Sequence, residues 1–415
     1  MSSPHADADR RSTPSSELAA AIDVERARRA IDGAIVRTPT LACPDLAASC
    51  GGAVTLKAEC LQGTGSFKLR GALNRIASIS EGERRAGLVV ASAGNHARAV
   101  AQAARIEGTT CEVYMPRDAP VSKVAAVERL GARVRLDGGS VEEAVALARG
   151  RSEQTGAVFV HPFDDPEVIA GQGTLGLELL EEVPDLARVI VPIGGGGLAS
   201  GVGIALAHSE VELVGVQASN CAPYAAALAG RALDGSASAT IADGIAVKRP
   251  GELTLPLLRA MLSRCETVSE DEIAAAMVYL LERAKLVAEG AGAVAVAVLL
   301  SGRLPAVAGT TVAIVSGGNV DSGLLAGLLL RHETEEGRRV RVFTRVPDSP
   351  GGLAELLELV ARARVNVVSV EHVREAVPLH VRETGVELTL ETRGPAHTKE
   401  MLDALRGAGY DAKVS

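Results

Sequence analysis

The sequence predicts an α/β protein built on parallel sheet, followed by a smaller domain of mixed strands and helices. Three observations carry this. Short β-branched runs alternate with longer Ala- and Leu-rich helical patterns from about residue 36 to 330. The runs are apolar throughout rather than alternating, which marks strands covered by helices on both faces. Beyond a charged stretch the order changes to strand, helix, strand, strand, helix, strand. At 415 residues, two or three folding units are expected.

Taken along the chain, residues 1–18 are polar, and Arg10-Arg11 is followed by no apolar segment. They read as a disordered tail rather than an export signal, which leaves a reduced cytoplasmic location as the default. Residues 19–332 form the main unit. Its strands are expected at 88–91, 111–114, 133–136, 189–193, 213–216 and 311–315. Ligands of such sheets gather at the carboxyl ends of the strands. Residues 333–338 are charged, contain Gly337 and read as a linker. In 339–415, strands are expected at 339–346, 365–374, 386–392 and 410–414, with helices at 353–364 and 397–406. That order is the ferredoxin-like βαββαβ unit.

Composition excludes several classes. The net charge of −8 argues against nucleic-acid or anionic-membrane surfaces, and with no Trp and 2% aromatics there are no stacking platforms for bases. No apolar run approaches the roughly 18 residues of a membrane span; the longest, 291–300, is interrupted by Gly292 and reads as a buried helix. The six cysteines, at 43, 50, 60, 111, 221 and 265, form no CxxC or His-paired spacing, so no zinc site or disulfide framework is suggested.

Chemistry concentrates in four places. Gly65-Ser66-Phe67-Lys68-Leu69-Arg70-Gly71-Ala72 sets a lysine in a tight, partly apolar turn, where a primary amine can condense with an aldehyde. Only 7 of the 43 basic residues are lysine; arginine serves for solubility but cannot form a Schiff base, so each retained lysine is a candidate for amine chemistry. Ser92-Ala93-Gly94-Asn95-His96 follows a strand and opens a helix, a seat for a substrate carboxylate or simply a capped turn. Gly194-Gly195-Gly196-Gly197-Leu198 lies between strand and helix, where backbone amides and the helix dipole suit a phosphate. It lacks both the Walker lysine and the dinucleotide spacing. Ser316-Gly317-Gly318-Asn319 ends a strand with a hydroxyl that can meet a ring nitrogen without protonating it. An amine, a phosphate cradle, an anion seat and a neutral ring partner describe a pyridoxal phosphate site.

In this order the chain resembles the fold type II pyridoxal-phosphate enzymes, tryptophan synthase β-like, and most closely the threonine/serine dehydratases, or threonine ammonia-lyases. The resemblance covers roughly residues 20–330. It also rests on Glu59-Cys60-Leu61-Gln62, His161-Pro162-Phe163-Asp164-Asp165, Ala170-Gly171-Gln172-Gly173-Thr174, Ala242-Asp243-Gly244-Ile245-Ala246-Val247-Lys248 and Glu289-Gly290-Ala291-Gly292-Ala293. It implies two parallel-sheet subdomains, the smaller (about 55–157) inserted in the larger. It implies that Lys68 binds the cofactor aldehyde and then carries the substrate α-proton. Phe67 would pack on the ring, Asn95 would bond its hydroxyl, and Gly194, Gly195, Gly196, Gly197 and Leu198 would hold the phosphate. Gly244 would line the cofactor, Glu289 would lie close to the ring and Ser316 would face its nitrogen. Ser92, Ala93, Gly94, Asn95 and His96 would receive the substrate.

The activity so implied is β-elimination of L-threonine to 2-oxobutanoate and ammonia, with L-serine as a slower substrate. Related elimination or racemisation of serine, D-serine or 3-hydroxyaspartate is the alternative, and a non-catalytic amino-acid-binding regulator a more distant one. Serine racemases of this fold usually carry a second serine in the seat where this chain has Ala93. The metal-site positions of the mammalian-type racemase match Gln217, Cys221 and Pro223 here, so no metal is expected. Cys60 stands where asparagine is commoner, and Arg98-Ala99 where Gln-Gly is. The 339–415 segment resembles an ACT domain, the single-domain arrangement of medium-length dehydratases. That implies an amino-acid effector such as isoleucine or valine, with Gly351-Gly352 as the backbone approach point, and a homodimer or homotetramer.

Overall fold

A computed structural model describes residues 14–232, 238–373, 380 and 382–414. The chain divides into two compact units, Met1–Val320 and Asp321–Ser415.

Among the described residues the first unit has ten strands, six of them at the expected apolar runs: β1 (Thr40–Ala42), β2 (Val54–Lys57), β3 (Leu88–Ala91), β4 (Cys111–Met115), β5 (Arg133–Leu136), β6 (Val158–Phe159), β7 (Leu186–Pro192), β8 (Glu212–Ala218), β9 (Arg264–Val268) and β10 (Thr310–Ile314). They form two sheets, β1-β2-β10-β7-β8-β9 and β5-β4-β3-β6. Every pairing is parallel except β1 with β2. All five residues of β10 and all four of β3 are buried, as both-sided cover by helices requires. Helix Gly290–Leu300 has no polar face and is buried through Leu299, as its sequence predicts.

A buried ion cluster ties the helix that starts at Lys68 to the larger sheet. Arg70, fully buried, bonds both oxygens of Glu59 (2.8 and 2.9 Å), both of Glu178 (2.6 and 3.0 Å) and the Thr174 hydroxyl (3.2 Å). Lys57, also buried, meets Glu178 at 2.7 Å and Glu182 at 2.9 Å. Burial alone would raise the Glu59 pKa, but Arg70 and the Thr38 hydroxyl hold it below the usual carboxylate range.

In the second unit, β11 (Arg339–Pro347), β12 (Asn366–Val373), β13 (Glu383–Glu391) and β14 (Lys413–Val414) form an antiparallel sheet ordered β12-β13-β11-β14. Helices Gly352–Arg362 and Pro395–Gly407 follow the first and third strands and bury Leu356, Val360, Met401 and Leu405 in its core. This is the ferredoxin-like unit read from the sequence.

Three boundaries between parts of the chain differ from the sequence reading. Residues 14–18 belong to helix Pro14–Ala20, while the rest of the expected tail lies outside the described residues. The smaller sheet begins at Leu88, because β2 pairs with β10 and so belongs to the larger sheet. The expected linker 333–338 is half helix: Ser322–Glu335, capped by the Asp321 side chain, runs through it and opens the second unit. The charges read as a linker are carried by the last turn of that helix, and Gly337 (φ 63°) makes the turn into β11.

Candidate active site

The site lies at the carboxyl ends of β2, β3, β7 and β10, and begins with Lys68. Gly65 turns the chain with φ 77°, Ser66 bridges Gly317, and the Phe67 N–H donates to the Ser316 carbonyl at 3.1 Å. The Gly318 N–H donates back to the Gly65 carbonyl at 2.9 Å. Lys68 is thereby fixed at the first turn of helix Lys68–Ala77, beside the end of β10. Its Nζ donates to the Pro162 carbonyl at 2.8 Å and lies 5.2 Å from the Phe67 ring centre. Burial pulls its pKa down to about 8, against the field of Glu289. Such an amine is partly neutral at physiological pH.

The four glycines after β7 are braced from behind. The Gly195 carbonyl accepts from the Tyr224 hydroxyl (2.6 Å) and the Thr254 hydroxyl (2.8 Å). A Cβ on Gly195 would come within 2.1 Å of the Phe163 ring, and one on Gly196 (φ 88°) within 2.7 Å of the Tyr224 oxygen. Only glycine lets the backbone pass here. Gly196 caps helix Gly197–Ala205, whose first N–H groups have no partner within the helix. That is an anion seat with a dipole behind it.

After β3, Gly94 caps helix Asn95–Ile106. Ser92, Ala93, Gly94 and Asn95 are half-buried there, and the Ser92 Oγ accepts from the Gly94 N–H at 3.1 Å. His96 faces elsewhere: its ring is buried, with Nε2 2.9 Å from the Val160 carbonyl, and burial with the nearby Lys68 charge pulls its pKa down to about 3. It is a neutral packing residue whose backbone alone remains on the seat. Asn95 Nδ2 donates to Glu289 Oε1 at 2.5 Å. Glu289, buried at the start of helix Gly290–Leu300, is pushed up to about 7 by burial, with the Asn95 bond opposing. Cβ atoms on Gly317 and Gly244 would fall 2.4 and 3.5 Å from Glu289 Oε1, which brings both glycines to the same pocket. Ser316 Oγ, buried beside them, makes a long bond of 3.3 Å to the Ala291 carbonyl.

A family model described as pyridoxal-phosphate dependent enzyme matches residues 31–317. The chain belongs to that family. Within it, the chain is 47% identical to an L-threonine ammonia-lyase of Thermotoga maritima over 94% of its own length and 98% of that protein's. Among solved structures, a threonine deaminase of T.th. is similar with TM-score 0.67 and 39% identity, covering 72% of this chain and 98% of that one. Maize serine racemase is similar with TM-score 0.70 and 34% identity, covering 75% of this chain and 97% of that one.

The residues fit the cofactor of a pyridoxal-phosphate dependent enzyme: a partly neutral amine for its aldehyde, unpartnered amides for its phosphate, a neutral hydroxyl for its ring nitrogen. Three further residues, Asn319, Tyr224 and Thr254, were not singled out for the site from sequence, and Arg98 stood out there only as a departure from the family pattern. Asn319 Nδ2 donates to Asn95 Oδ1 at 2.7 Å, and Asn319 Oδ1 accepts from Arg98. Tyr224 and Thr254 brace the glycine loop. Asn319 could have been found, because it stands in the same short motif as Ser316. Tyr224 and Thr254 carry no local signal, since only the fold brings them to Gly195.

Proposed function

We propose that this chain is an L-threonine ammonia-lyase, converting L-threonine to 2-oxobutanoate and ammonia and turning over L-serine more slowly to pyruvate. The observation that carries this is the partly neutral Lys68 amine on one side of a pocket whose carboxylate seat has alanine, Ala93, in place of a second proton donor. The names of its threonine-degrading relatives support the substrate.

Bound pyridoxal phosphate supplies the electron sink that stabilises negative charge at the substrate α-carbon. The chain's residues do the rest. The amides of Gly194–Gly197 and Leu198 would hold the cofactor's phosphate, and Phe67 would pack beside its ring. Ser92 and the first amides of helix Asn95–Ile106 orient the substrate carboxylate. Lys68 Nζ takes the α-proton in its neutral form, which its lowered pKa makes available. Ser316, a neutral partner for the ring nitrogen, does not force a proton onto it, which favours loss of the β-hydroxyl over transamination. Without a hydroxyl at position 93, return of a proton from the opposite face has no donor, and inversion is disfavoured.

The second unit is read as an ACT-type sensor for an amino acid such as isoleucine or valine, and the assembly as a homodimer or homotetramer acting in the cytoplasm. Purified enzyme assayed on L-threonine, L-serine, D-serine and 3-hydroxyaspartate, with and without isoleucine or valine, tests these readings. The expected result is highest kcat/KM for L-threonine. A clear preference for D-serine or 3-hydroxyaspartate would overturn it.

A further inference from the structure

We infer that Arg98 is a positioning residue of this site: it holds Asn319, and through it the Asn95 carboxamide, against Glu289, and its charge favours the ionised carboxylate. The inference rests on reading this pocket as the cofactor site of the proposed ammonia-lyase.

Arg98 and Asn95 stand three residues apart on one helix and share a face. The Arg98 guanidinium donates to Asn319 Oδ1. Asn319 Nδ2 donates to Asn95 Oδ1 at 2.7 Å and to the Thr64 carbonyl at 2.9 Å. Asn95 Nδ2 then donates to Glu289 Oε1 at 2.5 Å. The Asn95 amide alone could be turned end for end, whereas the Thr64 carbonyl, which only accepts, already sets Asn319. A guanidinium, however, only donates, and an ionised carboxylate only accepts. With those groups at the two ends, the chain has a single polarity. Asn319 is also confined, because a Cβ on Gly65 would fall 2.6 Å from its Oδ1. A glutamine at position 98 could still donate to Asn319 Oδ1 but would carry no charge.

The charges and titratable groups whose fields bear most on Glu289, or that its own field reaches, are Asp243, Lys123, Arg98, Lys68 and Cys60, each from a different element. Asp243 and Lys123 pair with each other at 2.8 Å and largely offset. Arg98 bonds an amide oxygen rather than a carboxylate, so its positive field acts on the buried Glu289 along with that of Lys68. Burial favours the protonated form of Glu289; Arg98 opposes it, directly and through the oriented amides.

The test titrates the visible band of the cofactor-loaded enzyme, without substrate, in wild type, Arg98→Gln, Arg98→Met, Arg98→Lys and Glu289→Gln; kcat and kcat/KM are then profiled separately against pH. Wild type should show a transition near neutral pH that Glu289→Gln removes. Arg98→Gln and Arg98→Met should move it upward by about 0.5 to 1 pH unit. Arg98→Lys, which keeps the charge and donates only, should bring it back close to wild type. Coincident transitions in wild type, Arg98→Gln and Arg98→Met would overturn the inference, as would a Glu289→Gln enzyme that kept the transition. Absence of threonine turnover with these band shifts intact would overturn the activity and leave the positioning role standing.

Discussion

Lys68 can be tested as an amine before any substrate is present. Only a neutral amine attacks an aldehyde, so the rate at which cofactor-free enzyme recaptures pyridoxal phosphate reports the free-base fraction of Lys68. With its pKa pulled down to about 8, roughly one-tenth of Lys68 is neutral near pH 7, against about 0.04% for an unperturbed lysine near 10.4. Recapture should therefore run about two hundred-fold faster than for an exposed lysine at that pH. It should rise tenfold per unit below pH 8 and level off above it. Glu289→Gln removes a carboxylate whose field raises the Lys68 pKa, so its plateau should begin at lower pH. Stopped-flow absorbance of the returning visible band measures both. A rate that keeps climbing tenfold per unit to pH 10 would refute the argument, because it would mean burial does not favour the free base.

The other predictions concern the frame around that amine. Arg70→Met leaves the buried Glu59 without its guanidinium and Glu178 with Lys57 alone, and should cost about 3–5 kcal/mol in denaturant unfolding; a loss under about 1 kcal/mol would contradict the role given to the cluster. Because the Glu59 carboxyl is held below its unfolded pKa, the stability it contributes is present above the ordinary carboxylate range and lost as pH falls through its folded value. In Arg70→Met burial is no longer opposed by the guanidinium, so the stability gap to wild type should narrow as pH falls and Glu59 is protonated. Ala93→Ser places a hydroxyl where the opposite-face donor is lacking, and chiral analysis of L-serine incubations should reveal D-serine that wild type does not form.

Much of this architecture was legible in the sequence because its central strands are buried on both faces and read as unbroken apolar runs. Lys68, the glycine loop and Ser316 were legible for a related reason: each ends or follows such a strand, where backbone chemistry shows in short motifs. What escaped were elements whose meaning comes from a distant partner. β9 carries Arg264, Cys265, Glu266 and Thr267 at a sheet edge and shows no apolar run. β2 is four residues long and ends in Lys57, a cation buried only because Glu178 and Glu182 reach it from another helix. Arg98 was visible as a departure from the family pattern, but its role depends on Asn319, 221 residues away. The charges at 333–338 suggested a linker because a solvated last helical turn and a linker share a composition.

The central claim is that Lys68 drives β-elimination from L-threonine. Wild type and Lys68→Ala, each supplied with pyridoxal phosphate and L-threonine, should be followed for 2-oxobutanoate and ammonia together. Wild type should give equimolar products, and Lys68→Ala should lose at least about a thousandfold in rate. Products forming at comparable rates without Lys68 would contradict it.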